Sequence, residues 1–164
     1  MCISGLYYLE PITYFCSKNG IYECRGENVH AIEFPGNEEF SKSEFVDIST
    51  KNHKLLFVLD SSNDCIWCII PRFGAYKLKP NDDSMEEFQL NNPFGMCLKI
   101  SEDDSTVLIV SDSGNSRILL FEVKYLNGEY RICHQAILLD NLDHHPIKVA
   151  CKNHQLFTSS QVRT

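Results

Sequence analysis

The chain has 164 residues, of which 43% are hydrophobic and 23% charged, the composition of an ordinary soluble globular protein and not of a disordered or fibrous one. One core is expected, since a domain of roughly 150 residues can bury about 70% of its unfolded surface. A net charge of −7, from 22 acidic against 15 basic residues, repels polyanions and disfavours RNA, DNA and acidic membrane surfaces as partners.

The opening segment, "MCISGLYYLEPITYF", has no basic stretch followed by a sustained apolar core, and no later run approaches about 18 apolar residues. A secretory leader and a membrane span are therefore not expected. Together with the lack of an Asn-x-Ser/Thr acceptor, this reads as an intracellular, cytoplasmic chain. From there on helical periodicity is weak, and short apolar runs bounded by Asn, Asp, Gly, Ser and Pro recur to the end, which is an all-β pattern.

The runs group into units. The first, over residues 4–34, contains "YFCSKNGIYEC", and the second, over 43–80, contains "FVLDSSNDCIWCII". The third, over 93–138, is the clearest, with strands expected at 95–101, 106–111, 117–124 and 130–138 and the loop "VSDSGNSRILLF" at its centre. A half unit at 146–161 repeats its beginning, with Pro146 answering Pro93. Between the second and third units an offset of 52 places Asp60 on Asp112, Asn63 on Asn115 and Ile66 on Ile118. An offset of 44 places Asn19 beneath Asn63, with Cys16 where the aspartate would stand. Units of about 40–50 residues with four strands each are the building blocks of β-propellers. The fold expected is thus all-β, an incomplete β-propeller of four-stranded antiparallel blades.

The third unit resembles the NHL repeat, a propeller-blade family whose pattern is Pro-x-Gly, an apolar strand, then a second apolar strand ending in Asp-x-x-Asn-x-Arg-Ile. The matching residues are Pro93 and Gly95 in "NPFGMCLKI", and Asp112, Asn115, Arg117 and Ile118 in the loop; the second unit keeps Asp60, Asn63 and Ile66 but has Cys65 in the arginine position. The resemblance implies a ring of usually six blades, of which this chain supplies about three and a half, so open edges and self-association are expected. It also implies a kinship with the C-terminal propellers of tripartite-motif ubiquitin ligases, where such domains select substrates or RNA.

The loop residues Asp112, Asn115 and Arg117 read as hairpin chemistry. Asp and Asn bond nearby backbone N–H groups, Gly114 is expected to supply a positive φ, and Arg117 to pair with an acidic side chain of its own or an adjacent blade. No catalytic residue, cofactor or metal site is assigned. Cys65 and Cys68 have thioredoxin-like spacing but fall in an expected strand, on opposite faces, and most of the eight cysteines read as buried thiols. His144 and His145, with His134 and His154 nearby in sequence, precede Pro146 in a polar connection where the adjacent pair reads as loop decoration; the acidic clusters read as solvated loops, and Trp67, Phe121, Tyr125 and Tyr130 as packing groups. The function expected is a non-catalytic module for a protein partner, built on a rigid scaffold and linked to substrate choice for a ubiquitin ligase. The alternatives are a metal-dependent propeller hydrolase or lyase, and an RNA-binding NHL module.

Overall fold

The computed structural model describes residues 3–18, 20–33, 40, 42–82, 89–101, 105–152 and 155–161. Several residues singled out above, namely Cys2, Asn19, His154 and the acidic pairs and run at 38–39, 83, 86–87 and 102–104, lie outside the described residues. The described chain is built of antiparallel strands: three sheets of four and one of two.

The first sheet runs β1 (Gly5–Leu9), β2 (Ile12–Ser17), β3 (Gly20–Arg25), β4 (Asn28–Ala31), each strand paired with the one before it. The second sheet repeats this order with β5 (Phe45–Asn52), β6 (Leu55–Asp60), β7 (Cys65–Ile70) and β8 (Gly74–Lys77). The third contains β9 (Gly95–Ile100), β10 (Thr106–Asp112), β11 (Arg117–Leu126) and β12 (Glu129–Leu139), and the two-stranded sheet pairs β13 (His145–Lys152) with β14 (Gln155–Gln161). Among the described residues β14 has one strand partner, so its other edge is open.

The third sheet's last hairpin is longer than the sequence suggests at both ends of its turn. Leu126 pairs with Glu129 across Asn127 (φ 51°) and Gly128 (φ 93°), the two-residue Asn-Gly turn whose left-handed backbone matches the twist of the strands it joins.

The second strand of each four-stranded sheet is buried on both faces. In β6, "LLFVLD", all six residues are buried, and each fully buried aliphatic or aromatic side chain there stabilises by about 1.5–3 kcal/mol. The chain divides into two compact units, Met1–Lys77 and Leu78–Thr164, where length alone suggests one. In the first unit Ile12, Tyr14, Ile48, Val58, Trp67 and Ile69 form the core. In the second, Ile109 and Ile118 meet Val149 of β13, flanked by Val107 and Leu156.

Within each unit, a glycine at the start of a sheet's first strand allows the first strand of the following sheet to come close. A Cβ on Gly5 would stand 2.6 Å from the Cα of Asp47 in β5, and one on Gly95 would stand 2.3 Å from the carbonyl oxygen of Ile147 in β13. No helix among the described residues is long and apolar enough to cross a membrane.

Candidate functional site

The aspartates that mark the repeat end the second strand of their sheets, and both are fully buried, at 0% exposure. Asp112 Oδ1 accepts from the Asn91 amide at 2.7 Å, while Oδ2 accepts from Asn115 Nδ2 at 2.9 Å and Arg117 Nε at 2.7 Å. Asn115 and Arg117 also donate to the carbonyl of Gln89, at 3.2 and 2.8 Å. Asp60 is held the same way: Oδ1 accepts from the amides of Glu44, Ser62 and Asn63 at 3.1, 3.1 and 3.3 Å, and Oδ2 from Asn63 Nδ2 at 2.8 Å.

The arginine's place is taken by Trp67, two residues beyond Cys65, whose indole Nε1 donates to Asp60 Oδ2 at 2.9 Å. One carboxylate geometry is thus served by a guanidinium in one sheet and an indole in the other. Burial alone would push the Asp60 carboxyl up, but hydrogen bonds from Ser43, Asn63, Trp67 and the Glu44 amide outweigh it and hold the group below its ordinary value. These donors come from the turn, its own sheet and the segment leading into that sheet, so the two groups clasp backbone and do not face solvent.

The backbone repeats along with the side chains. Asp64 (φ 49°) and Ser116 (φ 53°), 52 positions apart, are both left-handed just before the third strand. This corrects the expectation for Gly114, which lies in a short 3-10 turn, Ser113–Asn115. A side chain there is excluded by proximity instead, since a Cβ would stand 2.6 Å from the carbonyl oxygen of Asn91. Pro93 is buried beside Gly95, and Ile66 and Ile118 are buried at 4% and 0% exposure.

The histidine expectation is also corrected in part. His134 lies within β12, inside the stretch 130–138 expected as a strand. His144 is exposed, but His145 opens β13 with its Nδ1 2.7 Å from the carbonyl of Ser113, whose hydroxyl in turn donates to the Pro146 carbonyl. The ring and hydroxyl tie the third sheet's central turn to the next strand.

All seven described cysteines are free; Cys16 and Cys68 are buried, and Cys24, Cys65, Cys97, Cys133 and Cys151 are half-buried, fewer buried than the apolar runs suggest. Trp67 and Phe121 belong to cores, whereas Tyr125 is 60% exposed and stacks at a tilt on Tyr130 across the strand pair, 5.0 Å between centroids. Among the described residues no three His, Cys, Asp or Glu side chains come together as metal ligands.

The open ground lies elsewhere. In an antiparallel meander alternate turns share one end of the sheet, so the β5–β6 and β7–β8 turns lie at the end of the second sheet away from Asp60. There, within the first unit, a cleft of about 840 Å³ is lined from β3 and β4 by Arg25 and His30, and from the two turns by His53, Lys54, Arg72 and Phe73, with Glu23 and Glu33 on its wall. One lining residue is tied to the core: the buried Tyr14 has its hydroxyl 3.2 Å from His53 Nδ1. Burial pushes the Tyr14 phenol up, Glu23 adds to the shift and Arg25 opposes it. A smaller recess of about 210 Å³ in the second unit lies between Phe94, Gly114 and His145.

None of the cleft residues carries a motif, because its walls come from turns some fifty positions apart in a chain read one residue at a time. The one local signal is the turn "PRFG", Pro71–Gly74. Ile70 O accepts from the Phe73 amide at 2.9 Å, Pro71 holds the first central position, and Arg72 adopts a φ of 71° at the second. That is the form of a type II turn, whose second central position ordinarily takes Gly or Asn.

No family model and no curated protein matches the chain. Among solved structures it is similar to a streptogramin B lyase, at 11% identity and a TM-score of 0.62 over 96% of this chain and 47% of that one. It is likewise similar to virginiamycin B lyase from Staphylococcus aureus, at 9% identity and a TM-score of 0.60 over 96% of this chain and 48% of that one. The chain spans about half the length of these structures, both β-propellers, and its four-stranded antiparallel sheets are those of an incomplete β-propeller.

Proposed function

We propose that the chain is a non-catalytic interaction module, in which rigid NHL-like blades hold turn ends against a protein partner. The observation that carries this reading is the division between the two ends of the second sheet. Its repeated polar signature is consumed in holding Asp60 out of solvent, whereas the opposite end gathers exposed cationic and aromatic side chains around a cleft. Loops on a rigid scaffold are where recognition is commonly placed. Substrate choice for a ubiquitin ligase is the finer form of this reading and rests on the resemblance of the third sheet to NHL blades of tripartite-motif proteins.

A second reading is an enzyme on the same scaffold, since the two similar structures are lyases; at 11% and 9% identity that likeness shows the fold alone. RNA binding is disfavoured by the net charge of −7.

Affinity capture with the full chain, followed by cross-link mapping, tests the proposal. The expected result is a saturable protein partner whose cross-links fall on the turn ends, Lys54 foremost. Turnover of a substrate proportional to the chain's concentration, with no protein retained, overturns it.

A further inference from the structure

We infer that the cleft among the turn ends of the first two sheets binds a short acidic peptide segment, an inference that rests on the interaction-module reading and names its partner. Three cationic side chains, Arg25, Lys54 and Arg72, line this cleft against two carboxylates, Glu23 and Glu33. Glu23 and Arg25 engage each other, with Glu23 Oε1 3.3 Å from Arg25 Nε, which leaves Lys54 and Arg72 against the single carboxylate of Glu33. Lys54 and Arg72 are exposed and have no acidic partner among the described residues. A locally positive cleft on a chain of net charge −7 is a place where an anionic ligand is drawn in against the field of the rest of the molecule.

Charge alone would suit any small anion. Beside the cations, however, Phe73 stands 84% exposed at the tip of the same turn, with Ile70 and Pro71 next to it in the cleft wall. An apolar anchor flanked by charges fits a peptide that alternates carboxylates with a large apolar side chain, and an open cleft of about 840 Å³ has room for several residues of it.

The backbone supplies an independent observation. Arg72 holds a left-handed conformation that a bulky side chain rarely adopts, at the turn position where glycine would sit without strain. Strained residues of this kind gather at ligand clamps. Here the strain sets a guanidinium at the mouth of the cleft beside Phe73.

The test is fluorescence anisotropy with the 164-residue chain and a labelled Glu-Leu-Glu-Phe-Glu-Glu peptide, set against the same peptide with lysine for every glutamate, and repeated with inorganic phosphate as competitor. The acidic peptide is expected to bind, the lysine peptide not, and affinity should fall several-fold between about 50 and 200 mM salt. K54E/R72E should weaken binding by about tenfold or more, and R72G by about threefold while leaving the thermal midpoint no lower than that of the unaltered chain. Equal binding of both peptides, displacement by millimolar phosphate alone, or full affinity in K54E/R72E overturns the inference. A captured partner whose cross-links lie away from Lys54 and Phe73, with no acidic-peptide binding, overturns this inference and leaves the module reading standing.

Discussion

Replacing Trp67 by Phe tests whether an indole truly stands in for the arginine of the third sheet. The substitution removes the Nε1 donor from Asp60 Oδ2, and with it one of the hydrogen bonds that keep a fully buried carboxylate ionised. A hydrogen bond to a charged group is worth about 1.5–3 kcal/mol, and the lost pyrrole ring leaves a void beside Phe40, whose ring centroid lies 4.3 Å away. Together the loss comes to about 3 kcal/mol, a large share of the roughly 5–15 kcal/mol that holds a domain folded. With a urea slope of about 2 kcal/mol/M, the midpoint moves down by about 1.5 M. Trp67 is the single tryptophan, so the transition is followed by far-UV circular dichroism and not by indole fluorescence.

The decisive variant is C65R in the W67F background. It restores the arrangement of the third sheet, where an arginine five residues after the aspartate reaches Oδ2, and should recover about half of the loss. In the unaltered chain that oxygen is already occupied by the indole, so C65R alone should bring no gain. The double-mutant interaction energy is then at least about 1 kcal/mol. A W67F cost below about 1 kcal/mol, or a C65R effect of equal size in both backgrounds, refutes the equivalence of the two donors.

G95A places a Cβ 2.3 Å from the Ile147 carbonyl oxygen and 2.8 Å from the Lys148 Cα, both backbone atoms that yield only if β9 and β13 part, at a cost of about 1–3 kcal/mol. Amide exchange should show protection lost by about tenfold along β13 and β14 and kept along β10 and β11; uniform loss would contradict a local cause. Acid should act through Asp60. Its folded value is lowered, so its contribution to stability is complete above the unfolded value of about 3.9 and is lost as pH falls through the folded one. Urea midpoints measured downward from about pH 4 should therefore decline more steeply for the unaltered chain than for D60N, and parallel slopes would sink the assignment.

The strands of the third sheet were legible because short apolar runs bounded by turn residues are local signals, and the expected stretches 95–101 and 106–111 meet β9 and β10 within a residue. The ends of β11 and β12 were less so, since the Asn127–Gly128 turn extends both strands toward each other by one or two residues. The offset of 52 found Asp60 and Asp112, but a comparison of letters sees Cys65 as a gap in the pattern. The compensating donor sits at position 67, on the same side of the strand two residues further along, and only the fold shows that its indole reaches the same oxygen. Gly114 shows the same limit from the other side. Its sequence context suggests a backbone that needs positive φ, while the actual constraint is Asn91, more than twenty residues upstream. The cleft was not legible at all, since Arg25, Lys54 and Arg72 have no pattern until three hairpin turns meet.

Each buried carboxylate grips the chain just ahead of its sheet's first strand, Glu44 for Asp60 and Asn91 for Asp112. The point at which the chain joins the sheet is therefore set from within that sheet, whatever arrives from upstream. The chain ahead of each grip carries ties of its own: Phe40 packs on Trp67 at 4.3 Å between ring centroids, and Asn81 and Ile132 donate their amides to the carbonyls of Ile132 and Lys79. A graft upstream of either sheet would keep the strands in register only if it preserved these ties together with the carboxylate's hold on the backbone.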